Sequence, residues 1–232
     1  MIAASRLCYL PVIRIIRQRG CNVATQSKLI LWEVDSQRDF MLPGGKLYVP
    51  GAEKLIPNIS RLVNTARENR AFLISSGDHH SSQDPEFKIF PPHCIKGTEG
   101  AQVIPEALAQ NVLAVPNESA FRLPADLTRY QQVRIEKQSL DVFDNPHTAE
   151  IVNSLSPDAE FFVFGVVTEY CVQFAAKGLL DLGRPVSIVT DAIGHLDPAA
   201  GSKAVTELTA AGARLTTTEA VLARLHSASA SH

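Results

Sequence analysis

Short apolar runs that alternate with helical patterns constrain the fold of this chain more than any other feature. Apolar residues dominate runs of strand length at 29–34, 71–76, 160–167 and 186–191. Apolar residues recur at helical spacing over 52–70, 168–182 and 198–211. Strands that are apolar on both faces belong in a parallel sheet that crossover helices cover on both sides. The pattern therefore predicts an α/β protein with three layers, α-β-α, around a doubly wound and mostly parallel sheet.

We expect one domain, over 28–226, with short extensions at both ends. The 232 residues are enough for a single core that buries roughly 70 to 75% of the unfolded surface, and no repeat divides them. Residues 1–27 contain arginines but no acid, as in a targeting peptide or an over-long start of the reading frame. We prefer a dispensable extension. Residues 227–232 form a Ser- and Ala-containing tail that we expect to fray.

Charge and cysteine content exclude several classes of partner. A net charge of −2 and a pI near 6.4 give no basic surface for nucleic acid, and no apolar run reaches the length of a membrane span. Only four cysteines are present, and a catalytic role would keep one of them as a free thiol, which argues against a disulfide framework. We therefore expect a cytoplasmic protein without a nucleic-acid or membrane partner.

Cys171 lies just after the apolar run 160–167, at the start of a helical pattern. The free amides and the positive dipole end of a helix favour the thiolate, which makes a sulfur at this position a nucleophile. A buried cysteine in a helix is more commonly an inert small apolar residue. The choice between these interpretations depends on the groups that the fold brings to the cysteine.

Asp35 and Lys137 each follow a predicted strand, at 29–34 and 132–136. Open α/β sheets build their sites at the carboxyl ends of such strands. Taken alone, Asp35 is equally well explained as a helix cap or a turn residue, and Lys137 as a surface charge. Together with Cys171 they make up a Cys-Asp-Lys site, in which the carboxylate takes the thiol proton and the ammonium holds the ionised forms.

One carboxylate and two imidazoles, from Asp78, His80 and His93, follow the second predicted strand. This donor set suits zinc, iron or manganese and leaves positions open for water or a ligand. His79 and His80 would point apart because they are adjacent, and we choose His80 as the ligand. Surface histidines in a polar loop are the alternative for each residue taken alone. Cys94 faces away from His93 in an extended stretch and is interpreted as structural.

Five motifs occur in an order that is typical of one enzyme superfamily. They are Asp-x-Gln-x-Asp-Phe at 35–40, Asp-x-His at 78–80, Pro-x-His-Cys-x-x-Gly-Thr at 91–98, a lysine at 137, and Gly-x-x-Thr-Glu-Tyr-Cys-Val at 165–172. On these motifs the chain resembles the isochorismatase-like cysteine hydrolase superfamily, and within it most closely the nicotinamidases. The resemblance implies hydrolysis of nicotinamide to nicotinate and ammonia through a cysteine thioester, as a step of NAD salvage.

The resemblance implies a role for each catalytic residue. It makes Asp35 the acid/base, Lys137 its charged partner and Cys171 the nucleophile. It also implies a cis peptide bond between Val166 and Val167. The amides of Val167 and Cys171 would then form an oxyanion hole for the reacting carbonyl.

A divalent metal is the cofactor that the resemblance implies, with zinc first and iron or manganese as alternatives. Its ligands would be Asp78, His80 and His93, and it would hold the ring nitrogen of the substrate. The ring itself would lie in a slot between Phe40 and Phe90. The expected partners are a small-molecule amide and, in a homo-oligomer, other copies of the chain.

Three departures from the family pattern leave the substrate open. Glu86 stands nearest the place where many nicotinamidases have a further histidine, and it could serve as an additional metal ligand. His79 occupies a position that is usually aromatic. Residues 138–146 replace an aromatic and small-residue pattern that lines the family's pocket. The alternatives are a hydrolase of another small amide, carbamoyl compound or lactam, and, from another class, a catalytically silent oligomeric or binding module.

Overall fold

The computed structural model of the protein describes residues 29–229. The predicted N-terminal extension, 1–27, lies outside this range, as do the last three residues of the predicted tail. Residues 227–229 continue the last helix, which ends at Ser229. The structure therefore bears on the predicted domain and not on the extension that precedes it.

Parallel strands form a seven-stranded sheet in the order β3-β4-β2-β1-β5-β6-β7. The strands are β1 (Leu29–Val34), β2 (Phe72–Asp78), β3 (Val112–Val115), β4 (Gln132–Lys137), β5 (Glu160–Val166), β6 (Val186–Gly194) and β7 (Arg214–Thr216). Successive connections run to both sides of β1, as in a doubly wound sheet. The predicted α/β class is confirmed, and every strand pairing within the described range is parallel.

Helices cover both faces of this sheet. They are α1 (Arg38–Met41), α2 (Ile56–Arg67), α3 (Thr148–Ser154), α4 (Gln173–Asp181), α5 (Pro198–Ala210) and α6 (Thr218–Ser229). Apolar residues of α2 and α6 belong to one buried core, and those of α3, α4 and α5 belong to the other. The predicted three layers are therefore present. Among the helices over 29–229, none has the length and apolar content that crossing a membrane requires.

Strand β1 is buried on both faces because its apolar side chains alternate between the two cores. Trp32 enters the core that contains α4, where its ring stacks on Phe143 at 6.2 Å and packs against Phe161 at 6.0 Å. Leu31 enters the opposite core with α2. This packing fixes the end of β1, and therefore Asp35, at the middle of one sheet edge.

Gly165 allows β5 to approach β1 closely just before the site. Its φ is +117°, and a Cβ built on it would lie 2.1 Å from the carbonyl oxygen of Val34, its partner in the strand register. Neither feature is compatible with a larger side chain. The glycine thus brings the segment that carries Cys171 close to the segment that carries Asp35.

The helix predicted over 168–182 begins differently in the structure. Residues Thr168–Val172 form a π-helical turn, and the regular helix α4 starts only at Gln173. Within the turn, Tyr170 has a non-helical backbone with φ −126° and ψ −107°. Cys171 therefore lies in an irregular turn ahead of α4 and not in the first turn of a regular helix.

Candidate active site

Four strand ends bring the predicted polar residues to one edge of the sheet. Asp35 follows β1, Asp78 ends β2, Lys137 ends β4, and Cys171 lies in the turn after β5. Asp78 and Lys137 are also direct partners in the register of β2 and β4. All four side chains are at least 95% buried. The three sequence motifs and the lysine therefore meet in one place, as the strand-end argument predicts.

Lys137 is the residue that joins the others. Its Nζ lies 2.9 Å from Asp35 Oδ2 and 3.3 Å from Cys171 Sγ, and it also donates a hydrogen bond to Asp78 Oδ1. Burial alone would lower the pKa of Lys137, but the carboxylates of Asp35 and Asp78 hold it well above its ordinary value. The site therefore contains a permanent buried cation between two acids and a thiol.

The environment of Cys171 disfavours the thiolate. Burial raises its pKa well above the usual value; Lys137 lowers it, and the nearby Asp35 and Asp78 raise it again. Burial and two carboxylates therefore oppose the thiolate that a helix end would favour, and one ammonium supports it. The sulfur needs a base to accept its proton when it reacts.

Asp35 is placed to be that base. Its backbone has a φ of +53°, and its Oδ1 accepts a hydrogen bond of 2.7 Å from Ser76 Oγ. Burial raises the pKa of Asp35 above its ordinary value, although the Lys137 ammonium opposes this shift. A carboxylate with a raised pKa is a better proton acceptor. Ser76 contributes to this arrangement and was not identified from the sequence.

A second polar group lies next to Lys137 and consists of Asp78, His80, Glu86 and His93. One ligand atom from each of the four lies within 4.8 Å of the others. The Nε2 atoms of His80 and His93 are 3.5 and 3.4 Å from Asp78 Oδ2, and 4.0 and 3.8 Å from Glu86 Oε1. The structure thus brings together the three predicted ligands and the additional one, Glu86.

These residues fit a divalent metal. Nε2 of His80 is buried and has no hydrogen-bond partner among the described residues, although it faces the carboxylates of this group. Nδ1 of His93 lies 2.8 Å from the Pro91 carbonyl oxygen, which can only accept. The proton of His93 therefore belongs on Nδ1, which leaves a lone pair on Nε2. Two imidazoles and two carboxylates are donors that zinc, iron and manganese share.

His79 points away from this group, as its position next to His80 predicts. Its Nδ1 contacts the Glu136 carboxylate, and its backbone N donates a 2.8 Å hydrogen bond to the Lys137 carbonyl. The choice of His80 over His79 agrees with this geometry. His79 instead ties the end of β2 to the end of β4.

The Asp39 carboxylate connects two loops near the site, those that contain Cys94 and Lys46. Its carboxylate accepts hydrogen bonds from the backbone N of Cys94, at 2.8 Å, and of Lys46, at 3.0 Å. Cys94 is fully buried, and its carbonyl accepts a 3.2 Å hydrogen bond from the backbone N of His80. The backbone of Cys94 thus keeps the loop of His93 beside the loop of His80, which agrees with a structural role. The stretch is not extended as expected, since the φ of Cys94 is +44°.

An apolar pocket connects the thiol to the second polar group. Its walls are Phe40, Leu47, Phe90, Leu140, Val167, Tyr170 and Leu196, and its polar end is formed by Asp78, Glu86, His93 and Cys171. Phe40 packs edge-on against His93 at 5.2 Å, and Phe90 against Tyr170 at 5.3 Å. Both predicted ring contacts, Phe40 and Phe90, line this pocket.

Several functional neighbours were missed by reasoning from the sequence. Gln37 brackets Asp78: its Nε2 donates to the Asp78 carbonyl at 2.8 Å, and its Oε1 accepts from the Asp78 N at 2.6 Å. Glu169 Oε1 accepts from the backbone N of Leu196, at 2.9 Å, and of Asp197. Gln37 lies in the motif at 35–40 and Glu169 in the motif at 165–172, and membership of these motifs could have identified both residues. No sequence pattern could have identified the lining residues Leu47, Leu140 and Leu196.

The peptide bond between Val166 and Val167 is cis, as the resemblance implies. Val167 and Cys171, the two residues of the implied oxyanion hole, both line the pocket. Donation of their amides to a reacting carbonyl stays a prediction.

Comparison with known proteins places this arrangement in a family. A model of the isochorismatase domain matches residues 29–220. Nicotinamidase of Escherichia coli (strain K12) is 28% identical over 206 residues, which are 79% of this chain and 92% of that protein. The solved structure of pyrazinamidase of Pyrococcus horikoshii in complex with zinc is similar, with 27% sequence identity and a TM-score of 0.65 over 82% of this chain and 99% of that one. The structure of PnC1 from L. infantum in complex with nicotinate is also similar, with 26% identity and a TM-score of 0.68 over 84% of this chain and 94% of that one. Because the family model spans nearly all of the described residues, including every strand and the charged site, the chain belongs to the isochorismatase domain family and is a hydrolase.

Proposed function

We propose that this hydrolase is a nicotinamidase-like amidohydrolase, which converts nicotinamide and water to nicotinate and ammonia through a thioester on Cys171. One observation carries the proposal: a single pocket is lined both by Cys171 and by the Asp78, Glu86 and His93 donors. An aromatic amide with a ring nitrogen has complementary groups at both positions. The similarity to nicotinamidase of Escherichia coli supports the same assignment.

Asp35 and Lys137 drive the first half of the reaction. Asp35 takes the proton of Cys171 as the sulfur attacks the carboxamide carbon, so that one charge moves from the carboxylate to the substrate oxygen. The amides of Val167 and Cys171 stabilise that oxyanion. Asp35 then gives its proton to the departing ammonia, and the thioester remains. Lys137 stays charged throughout and keeps the cluster from carrying two unpaired negative charges.

The second half reverses these roles. Asp35 accepts a proton from a water molecule, which attacks the thioester carbon, and the carbon–sulfur bond breaks. The proton returns to Cys171, and nicotinate leaves. Each group is then in its starting state.

Asp78, His80 and His93, with Glu86 as the fourth donor, would hold a divalent metal, zinc first and iron or manganese as alternatives. When bound, the ion supplies a Lewis acid for the ring nitrogen and so aligns the carboxamide with the sulfur. The apolar rings of Phe40 and Phe90 exclude water from the faces of the substrate. Binding and alignment thus come from the pocket, whereas the covalent chemistry belongs to Asp35 and Cys171.

A hydrolase of another small amide, carbamoyl compound or lactam is the second candidate. Leu140 favours it, since this pocket residue comes from the segment 138–146 that departs from the family pattern. A silent binding module is disfavoured by the intact contacts of Lys137 with Asp35 and Cys171.

Ammonia release from matched substrates tests the proposal. We expect turnover of nicotinamide and pyrazinamide, weak turnover of benzamide, which lacks the ring nitrogen, and none of simple aliphatic amides. A Cys171→Ala variant is the control and should be inactive with every substrate. Equal turnover of nicotinamide and benzamide would contradict the metal's role, and hydrolysis of aliphatic or carbamoyl substrates alone would favour the second candidate.

The proposal includes a cytoplasmic location, a role in NAD salvage and assembly as a homo-oligomer. A free thiol at Cys171 is compatible with a reducing compartment, and Cys94 is also free. Light scattering of the purified protein measures the number of copies directly.

A further inference from the structure

Asp84 is a largely buried acid that the proposed reaction does not use. It precedes the short 3-10 helix Pro85–Lys88, where its Oδ1 accepts a 3.0 Å hydrogen bond from the backbone N of Glu86. Its other oxygen, Oδ2, lies 3.0 Å from Nδ1 of His80, which is an ion-pair contact and not a hydrogen bond. The two oxygens of one carboxylate therefore contact two different members of the metal-binding group.

Two other aspartates show what the capping contact requires. Asp126 and Asp141 also precede short 3-10 helices, and each accepts a 2.9 Å hydrogen bond from the backbone N two residues later. Neither belongs to the group that could hold a metal. Capping thus needs only one oxygen, and the second contact of Asp84 is a separate feature.

We propose that Asp84 is a positioning residue of the metal group, which orients the ring of His80 with one oxygen and the backbone of Glu86 with the other. A carboxylate at Nδ1 keeps the ring proton on that nitrogen and directs the lone pair of Nε2 toward Asp78 and Glu86. Asp84 lies between His80 and Glu86 in the chain, so a single carboxylate contacts both. This inference deepens the proposed function, since it concerns the donors on which substrate alignment rests.

The chemistry of the side chain explains why an aspartate is needed. A carboxylate offers two acceptor oxygens, and Asp84 uses one for the backbone N–H of Glu86 and places the other beside Nδ1 of His80. Asparagine offers one acceptor and one donor, so one of the two contacts is lost. Serine keeps a cap at the start of the 3-10 helix but has one short oxygen, which leaves the ring of His80 without its partner.

The test is the zinc affinity of the purified full-length chain, measured by competition with a chelating dye at constant pH. Asp84→Asn and Asp84→Ser should each weaken zinc binding by about 10- to 100-fold. Asp126→Ser, which changes an equivalent cap away from the metal group, should bind zinc with the wild-type affinity. The visible absorption of the cobalt-substituted protein should change in both Asp84 variants and not in the Asp126 variant.

Thermal unfolding of the metal-free proteins separates positioning from folding. Asp84→Ser and Asp126→Ser should unfold at similar temperatures, since both keep a serine cap. Wild-type zinc affinity in Asp84→Asn and Asp84→Ser would overturn the inference, as would an equal loss in Asp126→Ser. A wild-type protein that binds zinc but does not hydrolyse nicotinamide would overturn the proposed substrate and leave the role of Asp84 intact. A wild-type protein that binds no zinc would overturn both metal statements.

Discussion

Among single residues, Lys137 has the largest influence on the chemistry of the site. One ammonium contacts Asp35, Asp78 and Cys171, so it belongs both to the reacting groups and to the donors that could hold a metal. It is 1% exposed, and water cannot replace it. Removal of its charge would leave two buried carboxylates without a cation.

Lys137→Met tests this role because methionine is similar in length but neutral. Loss of the cation should raise the pKa of the Cys171 thiol further, so the pH profile of iodoacetamide labelling should move to higher pH and labelling at neutral pH should slow. The variant should also lose roughly 3 to 5 kcal/mol of unfolding free energy, since a buried ion pair loses one partner. Mass spectrometry of the Cys171 peptide, in the presence of a chelator, and urea unfolding measure the two effects.

Lys203→Met is the matched control, because the Lys203 side chain is 77% exposed and its one ion pair within residues 29–229 is with Glu207. It should change neither the labelling profile nor the stability appreciably. Lys137→Arg should restore the labelling profile and the stability only partly, since a broad guanidinium cannot occupy the space of a compact ammonium. Coincident labelling profiles for wild type and Lys137→Met would show that the ammonium does not act on the thiol.

At the scale of elements, the contact between β1 and β5 decides whether acid and thiol meet. The two strands pair along their full length, and Gly165 removes the side chain that would otherwise separate them before the site. This contact is a matter of backbone approach and not of apolar burial.

Gly165→Ala should therefore destabilise the protein more than an ordinary glycine replacement. Gly212→Ala is the matched control: its φ of +108° is close to the +117° of Gly165, but nothing lies within 4 Å of the Cβ position. We expect a loss of about 1 to 2 kcal/mol for Gly212→Ala from backbone strain alone. Gly165→Ala should lose at least about 2 kcal/mol more, because its Cβ overlaps the Val34 carbonyl. Equal unfolding free energies in urea would contradict the close-approach argument.

The elements also show where prediction from sequence stops. Asp35, Asp78, Lys137 and Cys171 could be predicted to meet, because the ends of parallel strands share one edge whatever the loops do. The wall of the pocket could not be predicted, because Leu196 is positioned by a hydrogen bond that its backbone N donates to Glu169 Oε1 and not by any local pattern. The raised pKa of the Cys171 thiol was missed for a related reason: a pKa depends on burial and on every nearby charge.

At the scale of the whole molecule, a bound metal would connect segments whose relative positions otherwise depend on loops. Its four donors come from the end of β2, from the turn after it, from the 3-10 helix Pro85–Lys88 and from the loop of His93. An unfolded chain does not present these donors together. Binding should therefore stabilise the folded state.

Chelation should lower the temperature of thermal unfolding. Zinc at 100 times its dissociation constant stabilises a folded protein by about 2.7 kcal/mol when only that state binds it. Addition of EDTA should remove this contribution, and excess zinc should restore it. His93→Ala is the control, since a variant without this ligand should respond much less to either treatment. An EDTA-insensitive wild type that contains stoichiometric zinc would contradict the coupling of metal binding to folding.

The position of β1 between β2 and β5 has a consequence for biosynthesis. While the chain emerges from the ribosome, β2 reaches β1 early, but β5 follows only after the long segment that carries β3 and β4. Throughout that interval one edge of β1, a strand of apolar residues apart from Glu33, has exposed amides and carbonyls. This is the condition under which nascent chains pair with one another. We therefore expect chaperone protection during translation to matter most before Glu160 has left the exit tunnel, and a chain truncated there to be prone to aggregation.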